Sequence, residues 1–137
     1  NPDYKFEIGK GVLLREGTDV TLIATGLCVN SALEAADMLA KDGVSARVVN
    51  IHTIKPLDVD LVVESAKATG KVVTVEEHSI IGGLGGAVCE ALAENAPTPV
   101  LRIGVKDVFG ESGPAAALLT KYKLDGAGVY EQVKAWL

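Results

Sequence analysis

The chain has 137 residues, of which 48% are hydrophobic and only 4% aromatic, and 18 acids against 13 bases give it a formal charge of −5. This length suits a single core, so we expect one domain over residues 1–137, with residues 1–10 as an extended lead-in from a preceding domain. The acidic balance and scattered basic residues disfavour nucleic acid as a partner. Cys28 and Cys89 stand far apart without metal-ligand spacing, which favours a reducing cytoplasm. The apolar runs are too short to cross a membrane, so we expect no membrane partner.

Strand-like and helix-like segments alternate from the first apolar run onward. Val20–Thr25 is a run rich in β-branched residues that ends at Gly26, which predicts a strand buried on both faces. Val29–Asp42 places its apolar residues on one stripe and therefore predicts a helix. Within it, Ser31 and Glu34 have the spacing of a capping box, and Gly43 is predicted to end the helix.

The same alternation continues to the end of the chain. The predicted elements are a strand over 44–51, a helix from Asp58 to about Ala68, a strand over 71–76, a helix after the glycines, a strand over 100–103, a short helix capped by Ser112 with Leu118, Leu119 and Tyr122, and a last helix with Val129, Val133, Trp136 and Leu137. Val12–Leu14 adds an edge strand, antiparallel because only a short turn separates it from the next strand. Together these elements predict an α/β fold: a three-layer arrangement with a mixed, mostly parallel sheet of five strands and helices on both faces.

The stretch "EEHSIIGGLGGAV", residues 76–88, places a glycine-rich turn between a strand and a helix, where backbone N–H groups can bind an anion. The third glycine of a dinucleotide fingerprint would fall at Val88, and no Lys-Ser or Lys-Thr pair follows as in a Walker loop. Glu76 and Glu77 point to opposite faces, so one of them would repel a docking anion. The favoured interpretation is that the glycines allow close packing and positive φ angles, and a functional loop is the alternative. The candidate loop comprises Glu77, His78, Gly82, Gly83, Gly85 and Gly86.

Catalytic chemistry has only weak support. His78 lies near Glu77, and Cys28 follows the adjacent predicted strand, so either could pair with the histidine at the carboxyl edge of the sheet. No orienting group or oxyanion signature accompanies them. The two histidines, His52 and His78, stand far apart, which argues against a metal site. We therefore predict no catalytic, cofactor-binding or metal-binding residue in this chain.

Four stretches carry a family resemblance: "LREGTDVTLIATG", "VVNIHTIKPLD", "VTVEEHSIIGGLGGAV" and "LRIGVKDVFGESG". In this order and spacing they resemble the C-terminal domain of the transketolase family, most closely the C-terminal section of a split thiamine-diphosphate transketolase. The resemblance runs from about Gly11 to the end of the chain. It implies the transketolase C-terminal-domain-like fold, which agrees with the α/β arrangement predicted above.

The resemblance also implies a reaction, although one centred outside this chain. Family enzymes move a two-carbon ketol unit between sugar phosphates with thiamine diphosphate and a divalent metal such as Mg²⁺. The family's GDG-to-NN diphosphate motif is absent from this sequence. The resemblance therefore implies a cytoplasmic, structural and dimer-supporting domain that binds no cofactor and is inactive alone. Its implied partners are a preceding pyrimidine-binding domain, a diphosphate-binding domain or subunit, and a second copy in a homodimer.

Two alternatives remain at this point. The same domain occurs in the beta subunits of 2-oxo acid dehydrogenases and in deoxyxylulose-phosphate synthase, although "KDVFGESG" looks like the transketolase ending rather than the Pro-rich segment usual in the dehydrogenase subunits. An alternative of another class is a freestanding module that binds a phosphate-bearing ligand through the glycine loop.

Overall fold

The computed structural model describes residues 9–52, 54–79, 83–105, 119 and 123–137. Within these ranges the chain forms β1 (Val12–Arg15), β2 (Val20–Ala24), α1 (Cys28–Lys41), β3 (Ala46–Asn50), α2 (Val59–Thr69), β4 (Val72–Ser79), α3 (Leu84–Asn95), β5 (Val100–Val105) and α4 (Gly126–Trp136). No helix in this part of the chain is both long and apolar enough to cross a bilayer. The predicted loop "KDVFGESG" and the helix expected after Ser112 lie outside the described residues, Leu119 excepted.

The sheet has five strands in the order β1-β3-β2-β4-β5. β3, β2, β4 and β5 run parallel to their neighbours, and β1 is antiparallel to β3. This confirms the predicted mixed sheet with an antiparallel edge strand. β1 does not pair with β2, its neighbour in the chain, because β3 and β4 occupy both sides of β2. From β2 onward, each strand is joined to the next strand in the chain through a helix, as parallel strands require.

Two apolar layers lie on the two faces of the sheet. On one face, α1 and α4 pack on alternate strand residues that include Leu22, Val48 and Val73. On the other face, α2 and α3 pack on Ile23 and Val49, which point the opposite way because side chains alternate along a strand. All five residues of β2 are buried, as its continuous apolar run predicts. Helices therefore cover both faces, as predicted.

The N-caps of α1 and α2 differ in how well the sequence predicts them, although the predicted bounds of α1, Val29–Asp42, lie within one residue of those observed. Asp58 caps α2 by accepting a hydrogen bond from the Leu61 backbone N at 3.2 Å, and Gly70 ends the helix with a left-handed φ of 77°, as predicted. The capping box predicted for α1 is wrong. The helix begins at Cys28 with Leu27 as its N-cap, and Ser31 is buried within the helix. The physical reason is that a carboxylate from β4 bonds this end of α1.

Candidate functional site at the carboxyl end of β4

The candidate loop is divided between a strand and a helix. β4 continues to Ser79, so Glu77 and His78 belong to the strand, three residues beyond its predicted end at Glu76. Gly83 is the N-cap of α3, and Gly85 and Gly86 lie in the first turn of that helix. Gly82 and the side chain of His78 lie outside the described part of the structure. The described members therefore surround the junction of β4 with α3.

Glu76 occupies the N-terminus of α3. Its side chain is fully buried. Oε1 accepts a hydrogen bond from the Leu84 backbone N at 2.9 Å, and Oε2 accepts one from the Gly85 backbone N at 2.8 Å. α3 has no acidic residue in its first turn and no side-chain cap of its own. Glu76 therefore supplies the acceptors and the negative charge that favour a helix N-terminus.

Glu77 has the equivalent contact on the other face of the sheet. Its Oε2 accepts a hydrogen bond from the Leu27 backbone N at 3.1 Å, and Leu27 is the N-cap of α1. In a capping box, a glutamate three residues into the helix makes this bond. Here a residue 50 positions away makes it. Gly26 fits beside the carboxylate because it has no side chain: a Cβ at that position would lie 2.6 Å from Oε1 of Glu77. Its φ of +59° also favours glycine.

Gly85 lets α3 approach the sheet closely. A Cβ at Gly85 would lie 2.9 Å from Cδ of Arg102 and 3.0 Å from Oγ1 of Thr74. The hydroxyl of Thr74 is buried and has no hydrogen-bond partner. The predicted close packing is therefore found at Gly85. The predicted positive φ is not found at Gly83, Gly85 or Gly86, because α3 begins directly at these residues with negative φ or helical backbone.

Sequence reasoning placed Glu76 and Glu77 on opposite faces, which the structure confirms, but it missed their role. It treated a carboxylate at this position only as a charge that repels an anion. In the structure Glu76 is itself the anion bound by the α3 amides. The available signal was a glutamate at the end of a buried strand, followed by a helix with no acid in its first turn.

Cys28 is unsuited to nucleophilic catalysis. Its side chain is buried at the start of α1. Burial, and after it the charges of Glu77 and Glu76, raise the pKa of the thiol to about 12. A thiol with this pKa stays protonated near neutral pH, whereas the thiolate is the reactive form. The suggested pairing of Cys28 with His78 therefore has no activated sulfur to support it. The other histidine, His52, is half-buried just after β3.

A metal ion would need several ligating side chains close together, and a diphosphate would need N–H donors that are free to bind it. In the described part of the chain, no group of three or more His, Cys, Asp or Glu side chains is arranged to hold a metal ion. The N-terminus of α3 does not fit the diphosphate of the thiamine cofactor, because the Leu84 and Gly85 amides already bind the Glu76 carboxylate. A phosphate placed there would lie against that charge.

Comparison with known proteins gives the family. Residues 9–129 match the family described as "Transketolase, C-terminal domain". The chain is 52% identical over 120 residues to a 6-deoxy-6-sulfo-D-fructose transketolase subunit from Clostridium sp. (strain MSTE9), a match that covers 88% of this chain and 37% of that protein. It is 45% identical over 123 residues to a 1-deoxy-D-xylulose-5-phosphate synthase from Heliobacterium modesticaldum, covering 89% of this chain and 19% of that one.

A solved structure gives the same result. A split-gene transketolase, described as an inactive β4 tetramer, superposes with a TM-score of 0.92 and 54% sequence identity. The match covers 98% of this chain and 44% of the solved one, so the chain spans less than half the length of each protein compared. The chain therefore belongs to the transketolase family, in which it corresponds to the C-terminal domain.

Proposed function

We propose that this chain is the C-terminal domain of a thiamine-diphosphate-dependent transketolase, which transfers a two-carbon ketol unit between sugar phosphates. Residues 1–137 form one domain that contributes no catalytic, cofactor-binding or metal-binding residue and is inactive alone. It braces the preceding pyrimidine-binding domain and a diphosphate-binding domain or subunit, and it supports a homodimer. The complete enzyme is cytoplasmic and holds thiamine diphosphate and a divalent metal such as Mg²⁺ outside this domain.

The observation that carries the proposal is that the chain's own carboxylates bond the N-terminal ends of α1 and α3. Open α/β sheets bind ligands beyond the carboxyl ends of their strands. At this edge, Glu76 bonds two amides of α3 and Glu77 bonds the amide of Leu27. A phosphate 4 Å from either carboxylate would be repelled by about 4 kcal/mol at an effective dielectric constant near 20. This favours a structural role over a freestanding phosphate-binding module.

The relatives support the reaction class. One is a transketolase subunit, and the solved relative is a split-gene transketolase that forms a tetramer. Both proteins are more than twice as long as this chain. Their additional length supports the proposal that neighbouring polypeptide supplies the reaction centre.

A second candidate is the C-terminal domain of a deoxyxylulose-phosphate synthase. The 45% identity to such an enzyme favours it. The two candidates share the proposed bracing role and differ in the reaction of the complete enzyme. The product formed by that enzyme therefore distinguishes them.

The test is to supply the missing parts. We expect the chain, produced with the pyrimidine-binding and diphosphate-binding portions of its parent, to support ketol transfer between sugar phosphates when thiamine diphosphate and Mg²⁺ are added. Mass spectrometry of the products separates ketol transfer from deoxyxylulose-phosphate synthesis. A folded, cofactor-loaded assembly that forms neither product would contradict the proposal. Turnover by the 137 residues alone would contradict the non-catalytic role.

A further inference from the structure

The backbone just before β1 lies at the carboxyl edge of the sheet. β1 is antiparallel to β3, so its first residue, Val12, pairs with Asn50 at the carboxyl end of β3. The residues before it, 9–11, therefore lie beside the segment that leads from β3 to α2. In the proposed parent enzyme, the preceding domain joins this domain at that point.

Two glycines occupy this short segment, a composition that is typical of a flexible joint. The structure gives both of them a different role. At Gly11 a Cβ would lie 2.6 Å from Cδ1 of Ile51 and 2.9 Å from Cδ2 of Leu61. Gly9 has a φ of +81°, and a Cβ there would lie 3.2 Å from Cγ of Pro56. The glycines therefore allow the backbone to lie close against the domain, where its freedom is reduced.

Asp58 bonds this segment and α2 at the same time. Its Oδ1 accepts the Leu61 N–H at 3.2 Å, which caps α2, and its Oδ2 accepts the Gly11 N–H at 2.9 Å. Hydrogen bonds to an ionised acceptor are stronger than those between neutral groups. An N-cap needs only one side-chain oxygen, which serine or asparagine also supplies. The second oxygen of Asp58 therefore makes a contact that capping does not require.

We propose that Asp58, by holding the Gly11 N–H, fixes the orientation in which the preceding domain of the parent enzyme joins this domain. This pair, the Asp58 clamp, makes the connection a fixed joint, whereas linked domains otherwise move relative to each other unless their interface is large and apolar. The proposed bracing role requires such a joint, because a domain that swings freely cannot hold its neighbour in place. Asp58 is thus a positioning residue. The inference rests on the proposed function, because it requires a preceding domain.

The first test uses Asp58→Asn in the complete parent enzyme, because asparagine separates the two bonds. Asparagine keeps one acceptor oxygen, which is enough to cap α2. In place of the second oxygen it carries an amide N–H₂ group, which cannot accept the Gly11 N–H. Lys10 is exposed, and trypsin cleaves the bond between Lys10 and Gly11 only when the backbone there opens. We expect this cleavage, identified by mass spectrometry, to be about tenfold faster in Asp58→Asn than in the unsubstituted enzyme.

Asp125→Asn is the matched control. Asp125 caps α4 by accepting the Gly128 N–H at 2.9 Å through Oδ1, and asparagine can accept the same bond, so cleavage after Lys10 should keep the unsubstituted rate. Asp58→Ser is a second variant, because its hydroxyl can cap α2 and it has no second oxygen for Gly11. Cleavage in both Asp58 variants at the rate of Asp125→Asn would overturn the clamp.

The second test measures the orientation of the two domains. One spin label is placed at Glu94→Cys, an exposed position of α3, in a Cys89→Ser background, and the other on the surface of the preceding domain. Double electron–electron resonance then gives the distribution of distances between them. We expect Asp58→Asn to make this distribution about twofold broader, and Asp125→Asn to leave it unchanged. An unchanged distribution in Asp58→Asn would overturn the proposal even if trypsin cleavage increased, because Asp58 would then only hold a surface segment.

These measurements also separate the clamp from the proposed function, because neither depends on ketol transfer. A distribution that broadens in Asp58→Asn, in an enzyme that forms no ketol-transfer product, would count against the proposed function alone. An unchanged distribution in an enzyme that transfers the ketol unit would count against the clamp alone.

Discussion

The four described helices are capped in two different ways. α2 and α4 carry their own N-caps, because Asp58 accepts a bond from Leu61 N and Asp125 accepts one from Gly128 N. α1 and α3 have no side-chain cap and no acid in the first turn. Their bonds come from Glu77 and Glu76 of β4. Two helices are therefore capped locally, and the other two are capped by adjacent residues of one strand, each on its own face of the sheet.

This difference shows how one strand can fix two layers at once. Because successive side chains of a strand point to opposite faces, consecutive glutamates at the end of β4 reach one helix above the sheet and one below it. A cap from β4 forms only when the helix and the strand have packed together. We therefore expect loss of such a cap to weaken tertiary packing, whereas loss of a local cap mainly weakens one helix.

The largest effect is expected for Glu76→Ala. The substitution leaves the buried N–H groups of Leu84 and Gly85 without acceptors, at a cost of about 3 kcal/mol in the free energy of unfolding. Urea denaturation followed by circular dichroism measures it. Glu94→Ala, an exposed glutamate of the same helix, is the matched control and should change stability by less than about 0.5 kcal/mol. Similar small effects for both variants would show that the cap from β4 contributes little.

Gly85 and Gly86 form a second matched pair on the α3 side. At Gly85 a Cβ would meet Arg102 and Thr74, whereas at Gly86 no atom lies within 4 Å of a Cβ. Gly85→Ala should therefore destabilise the domain by about 2 kcal/mol through overpacking. Gly86→Ala should stabilise it by up to about 1 kcal/mol, because alanine favours the helix over glycine. Thermal unfolding of the two variants distinguishes these effects, and equal shifts would mean that the close approach of α3 has no energetic role.

Asp58→Ala removes a local cap and should have a smaller effect than Glu76→Ala. Asp58 accepts from Leu61 N and, through its other oxygen, from Gly11 N at 2.9 Å. Both bonds are only partly buried, so we expect a loss of about 1.5 kcal/mol in urea denaturation. Asp58→Asn keeps acceptor capacity and should recover most of it. A loss for Asp58→Ala as large as that for Glu76→Ala would remove the distinction between the two kinds of cap.

The same distinction explains how far the sequence could predict this protein. The start and end of α2 were predicted correctly, because Asp58 and Gly70 lie beside the helix they delimit. The predicted start of α1 at Val29 is one residue from the observed start at Cys28. The capping box predicted at Ser31 is wrong, because the bond at this end of the helix comes from Glu77, 50 residues away. Apolar periodicity alone was enough to predict the layers. The pairing of β1 with β3 could not be predicted in this way, because it depends on which strand lies at the edge of the parallel sheet with its backbone groups available.

The candidate site was predicted only in part for a related reason. The glycines and both glutamates could be placed at one end of β4, and the opposite directions of Glu76 and Glu77 followed from strand geometry. That Glu76 itself binds the α3 amides depends on how closely α3 packs on the sheet, which Gly85 determines. No local pattern reports that distance.

The smallest effect concerns the other end of α1, where Asp42 is the C-cap. The Tyr130 hydroxyl of α4 donates to Asp42 Oδ2, and Lys134 Nζ lies 3.5 Å from the same oxygen. The Tyr130 bond, and to a lesser extent Lys134, lowers the pKa of Asp42 below 3.8, and the same bond to Asp42 raises the pKa of Tyr130 above 10.0. This bond therefore relieves the unfavourable position of a carboxylate at a helix C-terminus.

Tyr130→Phe tests this contact through the pH dependence of stability. A lowered pKa in the folded state contributes stability above the unfolded pKa of Asp42, and this stability is lost as the pH falls through the folded pKa. A raised pKa contributes stability below the unfolded pKa of Tyr130, and this is lost as the pH rises through the folded value. Relative to Tyr130→Phe, the unsubstituted domain should be slightly more stable between about pH 5 and pH 9. This difference in stability should shrink at lower pH, where Asp42 is protonated, and at higher pH, where Tyr130 is deprotonated. Urea midpoints across this range measure the difference, and a difference that does not vary with pH would mean that the hydroxyl does not bond Asp42 in solution.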